Sequence, residues 1–157
     1  MMKINVNVTI DQPIHDVWEV MGNQFGHAHL WSSNFKTSKP GGEAKFDGID
    51  YSHRDTTTDR GNTIQELTAF DPVQFSLSYE ITKGAPQIAQ RAASTWYLEE
   101  SNGKTVAHMD TEMIPKMALN PEMEAKIQMG LTAAFNQLAN ELKYYVEYGE
   151  ALKERTH

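Results

Sequence analysis

Three side chains able to hold or move a proton recur at alternate positions in one run of the chain. His108, Asp110 and Glu112 occupy i, i+2 and i+4 of the strand-like stretch Lys104 to Met113. They therefore project from one face, roughly 6.5 Å apart. If that face is enclosed, His108 oriented by Asp110 forms a catalytic acid–base pair. Arg91, opening the preceding strand-like run, would then hold an anionic substrate. If the face is wet, Ala107, Met109, Thr111 and Met113 turn inward instead, and hydrophobicity favours this second arrangement. Arg91 has the same two options, snorkelling to solvent or pointing inward to neutralise Asp110 or a ligand carboxylate.

His27-Ala28-His29 has the residue types of a metal dyad, but positions i and i+2 of a helix point apart. No convincing carboxylate third ligand accompanies the pair, so no metal is expected. His15 and His53 read as surface residues. No nucleophile elbow, Gly-rich phosphate loop or dinucleotide fingerprint occurs, and no cofactor is expected.

The element that must position these groups is a helix from Asn120 to Gly149. Asn120 is a good N-cap, Pro121 suits the first turn, and Gly149 supplies a stop. Ile127, Leu131, Ala134, Phe135, Leu138, Leu142, Tyr145 and Val146 form one apolar stripe at helical spacing. At about 1.5 Å per residue such a helix is roughly 40 Å long and needs a broad sheet to cover its stripe.

The preceding residues supply that sheet. Lys3 to Ile10 alternates as a half-buried strand, and a short helix with the stripe Ile14, Val17, Trp18 and Met21 follows. A second short helical or irregular segment runs through Phe25, His27, Leu30 and Trp31. About six strands then follow, punctuated by Pro40-Gly41-Gly42, Asp59-Arg60-Gly61-Asn62, Lys83-Gly84-Ala85-Pro86 and Ser101-Asn102-Gly103. The clearest is Val73 to Ile81, with Phe75, Leu77, Tyr79 and Ile81 on one face. This order predicts an α+β fold with an antiparallel sheet.

A chain of 157 residues is expected to be one domain, residues 1–157, large enough for a core and a cavity. No apolar run approaches the ~18 residues of a membrane span, and no signal-peptide core is present, so a cytoplasmic location without stable membrane insertion is expected. Cysteine is absent, which excludes disulfides and thiolate chemistry. A formal charge of -7 argues against nucleic acid as a partner.

The sequence resembles the helix-grip superfamily of START-like domains (SRPBCC), in its polyketide cyclase/dehydrase and lipid-transport branch. The resemblance rests on Val8-Thr9-Ile10-Asp11-Gln12-Pro13 followed by Val17-Trp18, on Trp31, and on Gln65-Glu66-Leu67-Thr68-Ala69-Phe70-Asp71-Pro72. It continues through Ser78-Tyr79-Glu80-Ile81, Thr95-Trp96 and Gly130-Leu131. It implies a curved antiparallel sheet of six or seven strands gripping the long helix, two short helices after the first strand, and a ligand cavity between them.

The resemblance also implies site residues. Lys36 stands where relatives place a ligand-facing polar residue, and Arg54 resembles the arginine of the next strand. Gln65 replaces the usual glutamate. Tyr79, Ile81 and Ile88 fall at wall and rim positions, Arg91 replaces a frequent tyrosine, and His108 takes a place often held by tryptophan or glutamate. Trp31 lies near the expected opening, and Ile127, Leu131 and Phe135 of the helix stripe would close the cavity. The resemblance thus favours an inward face for His108 and Asp110. The function expected is binding of a small hydrophobic or amphipathic molecule by a monomer or homodimer. The alternative is a cofactor-free cyclase or dehydratase acting on an aromatic polyketide precursor.

Overall fold

The computed structural model describes residues 1–152. Alternation in the first strand, β1 (Met2–Ile10), buries Met2, Ile4, Val6 and Ile10 and leaves Lys3, Asn5 and Asn7 in water. The chain then turns through α1 (Ile14–Trp18), a π-helical turn (Glu19–Asn23) and a 3-10 segment (Phe25–Leu30) kinked at His27. Six further strands follow: β2 (Thr37–Gly41), β3 (His53–Thr58), β4 (Gly61–Asp71), β5 (Ser76–Lys83), β6 (Ala89–Ser101) and β7 (Lys104–Pro115). They form one antiparallel sheet in the order β1-β7-β6-β5-β4-β3-β2. The short helical elements carry the chain from one edge of the sheet to the other. Register shifts in β4–β5 and at the start of β6–β7 bend the ladder locally.

The last helix, α2 (Pro121–Tyr148), begins where the Asn120 side chain accepts the Met123 N–H at 2.8 Å. It ends at Gly149 in the left-handed region, φ 76°. Its polar side chains reach the sheet's first strand: Gln128 Nε2 donates to Lys3 O at 2.8 Å, and Lys143 Nζ donates to Thr9 O at 2.9 Å. The helix therefore runs alongside β1 and occupies carbonyls that an edge strand otherwise offers to another chain. No helix among the described residues is long and apolar enough to cross a membrane.

The architecture is the helix-grip α+β fold, with seven strands. Two local readings change. The alternation of Val73 to Ile81 does not begin a strand at Val73, because Asp71 Oδ1 accepts the Val73 and Gln74 N–H groups and Phe75 has φ 55°. The strand starts at Ser76 instead. Ala134 is exposed, while Glu141, three residues beyond Leu138, is buried at 1% exposure. Gly130 faces open space.

Candidate functional site

Strand alternation sends Arg54 of β3, Gln65 of β4 and Tyr79 of β5 to the same inner sheet face, where all three are buried. Pairing of Arg54 with Gln65 in the β3–β4 ladder sets the two side chains next to each other. Arg54 Nε donates to Gln65 Oε1 at 2.7 Å, and Nη1 donates to the Phe25 carbonyl at 3.1 Å. The guanidinium lies 4.0 Å over the Phe25 ring, 5.0 Å from the Tyr79 ring and 5.3 Å from the Phe35 ring. Ring faces attract a desolvated cation. Arg54 has no carboxylate partner among the described residues. Burial pushes its guanidinium below the usual range, and the neighbouring Tyr79 and Tyr51 hydroxyls partly offset this.

Arg54, Tyr79, Phe25, Phe35, Trp31 and Trp96 surround an enclosed space, closed further by Met21, Leu77 and Leu138. Its volume is about 10 Å³, room for a single water. The wall toward α1 is the short segment Phe25–Leu30 and the loop after it. Its ties are Gly26 N–H to Tyr51 Oη (2.7 Å), Ser38 Oγ to Gly26 O (2.7 Å) and Ser33 N–H to Glu141 Oε1 (3.0 Å). Burial raises the Tyr51 hydroxyl, while the bond from Gly26 works the other way.

Covering of α2 is uneven. Leu138, Ala139, Glu141 and Leu142 are buried, yet Ile127, Leu131 and Phe135 of the same stripe are only half-buried. Ile81 is likewise half-buried against the core. On the buried face of β6 and β7, Ala92, Ser94 and Thr111 are small or polar, and the Ser94 and Thr111 hydroxyls are 2.8 Å apart.

The remaining expected residues lie elsewhere. In β7, Ala107, Met109, Thr111 and Met113 are buried, so His108, Asp110 and Glu112 take the outer face. The hydrophobic alternation, not the inward reading, decides this strand. His108 stacks on Tyr97 with centroids 4.5 Å apart, and its Nε2 lies 2.7 Å from Glu99 Oε1, close enough for an ion pair but without hydrogen-bond geometry. Arg91 is also outside, donating through Nε to Glu80 Oε1 at 3.1 Å. Lys36 precedes β2 and meets Asp59 at 3.1 Å in solvent. Ile88 is an exposed loop residue at 39% exposure. The His27 and His29 rings lie 6.3 Å apart, and no group of three or more His, Asp or Glu among the described residues is placed to hold a metal.

A family model described as polyketide cyclase / dehydrase and lipid transport matches residues 1–147. The chain belongs to that family. No curated protein matches it. Among solved structures, the chain is similar to XoxI from Bacillus cereus, at TM-score 0.74 and 16% identity, covering 93% of this chain and 96% of that one. A START superfamily protein from Mycobacterium smegmatis is similar at TM-score 0.73 and 13% identity, over 92% and 97% of the two chains. A Thermobifida fusca protein is similar at TM-score 0.72 and 13% identity, over 100% and 99%. At these identities the likeness establishes the fold alone.

In this family member, Phe25, Phe35 and Glu141 join the site unannounced by the sequence. Phe25 and Phe35 lie in irregular backbone, where periodicity has no purchase. Glu141 had a signal: it falls within the apolar stripe, three residues after Leu138 and four before Tyr145.

Proposed function

We propose that the chain is a ligand-binding domain that encloses a small hydrophobic or amphipathic molecule between the inner sheet face and α2. The observation that carries this reading is the uneven covering of the helix stripe. Leu138 and Leu142 are buried, whereas Ile127, Leu131 and Phe135 keep apolar surface in contact with water. A ligand seated under them would remove that surface from water, at about 25 cal/mol per Å². Family membership and fold support the same reading.

Binding is favoured over turnover. A cyclase or dehydratase needs a proton carrier against its substrate. His108 and Asp110 are on the outer face, and the ionisable side chains around the enclosed space are Arg54 and Tyr79. An arginine remains protonated at neutral pH and is a poor base.

The test is native mass spectrometry of freshly purified protein together with titration of a dansyl-labelled fatty acid. A retained small molecule or saturable, displaceable probe binding is expected. Absence of both retention and saturable binding would refute the reading.

A further inference from the structure

We propose that this site, if it binds ligands as argued above, selects those with an acidic end, and that the acid reaches Arg54 by taking the place of the Phe25 carbonyl. Arg54 is 5% exposed and carries a full positive charge. Its closest hydrogen-bond acceptors, Gln65 Oε1 and Phe25 O, are neutral, and so is the Tyr79 hydroxyl beside it. Burying a cation is costly unless an anion compensates it, and amide or carbonyl oxygens and ring faces compensate only in part. A carboxylate would accept two parallel N–H bonds from the guanidinium fork. The aromatic rings on Arg54 suit the apolar body behind such a head.

The enclosed space holds about one water, so a carboxylate cannot reach Arg54 unless a wall moves. The two walls touching its N–H groups differ in strength. Gln65 belongs to β4, paired on both sides within the sheet. Phe25 opens a short kinked 3-10 segment whose carbonyl is held by Arg54 itself. An acid that replaces this carbonyl exchanges a neutral acceptor for a charged one and releases the start of the segment. Gly26, the next residue, reports the release, because its N–H is held by Tyr51 and its carbonyl by Ser38.

The experiment titrates dodecanoic acid and methyl dodecanoate against wild type, Arg54→Gln and Gln65→Glu. It follows tryptophan fluorescence, with hydrogen exchange at the Gly26 amide as a second readout. Wild type is expected to bind the acid at least about tenfold more tightly than the ester. Arg54→Gln is expected to erase that preference. Gln65→Glu places a carboxylate on Arg54 from inside and is expected to erase the preference with the arginine still present. If Arg54→Gln fails to fold, Gln65→Glu and the wild-type ratio decide. Gly26 exchange is expected to accelerate with acid and not with ester.

Equal wild-type affinities for acid and ester would overturn acid selection while leaving ligand binding intact. An acid preference that survives either substitution would overturn the role of Arg54. Acid-selective binding without faster Gly26 exchange would overturn displacement of the Phe25 carbonyl. Binding of neither compound would refute the ligand-binding reading itself.

Discussion

Arg54 and Gln65 are directly opposed across β3 and β4, and the arginine Nε donates to the glutamine Oε1 at 2.7 Å. A buried cation therefore rests on a neutral side chain. Replacing Gln65 by Leu removes that acceptor and leaves a guanidinium N–H without a partner. Loss of a hydrogen bond to a charged group costs about 1.5–3 kcal/mol. Gln65→Leu should lower stability by that amount in urea denaturation, and a neutral effect would mean that water satisfies the arginine instead.

The helix supplies a matched set of substitutions. Leu138 is buried between α2 and the sheet, so Leu138→Ala should cost roughly 2–5 kcal/mol. Asn136 is exposed on the same helix, and Asn136→Ala should change stability by less than about 0.5 kcal/mol. Gly130 is exposed with nothing near an added Cβ, so Gly130→Ala should stabilise by up to about 1 kcal/mol. Thermal and urea unfolding of the three variants would show whether the burial profile of α2 holds in solution.

Arg91 and Glu80 make a partly exposed ion pair on the outer sheet face. Such pairs contribute about 0–1 kcal/mol. Arg91→Ala should therefore leave stability nearly unchanged and fatty-acid affinity unaltered. A selective loss of acid binding in this variant would contradict its outward position.

Glu147 sets an acid dependence. Burial pushes its carboxyl up, but the Asp11 N–H at 2.8 Å and the Lys143 ammonium outweigh this and hold it below its ordinary value of 4.5. A carboxyl lowered by folding stabilises the protein above its unfolded value, and that contribution is lost as pH falls through the lowered one. Glu147→Gln should be less stable than wild type near neutrality, and the difference should shrink in acid. Denaturation curves across that range check the sign, and a gap that stays constant with pH would show that the charge is irrelevant.

Periodicity made most of the fold legible. The capped α2 stripe and the alternation of β1 are long enough for one reading to prevail. The site was less legible, because its faces depend on which of two competing patterns a strand obeys. In β7 a polar triad and an apolar triad interleave. The family resemblance favoured an enclosed face for His108 and Asp110, while Met109 and Met113 carried the stronger physical demand. Phe75 misled differently. It continues the alternation of Leu77 and Tyr79 yet packs from a turn, edge-on to His15 and Trp18, so contact with the core continued where the strand had not begun. Arg54 and Gln65 were marked by resemblance, but nothing in their spacing revealed that the Arg54 cation has no carboxylate beside it among the described residues.

The placement of β1 between β7 and α2 also fixes when the fold can close. Met2–Ile10 is made before its ladder partner, Lys104–Pro115, and before Gln128 and Lys143, which take its Lys3 and Thr9 carbonyls. During synthesis an alternating apolar strand must therefore wait, unpaired, until β7 has left the ribosome. Loops of that length are slow to close, so β1 is a late arrival in folding although it precedes its partners in the chain. Until then it is a segment that chaperones or other nascent strands could capture.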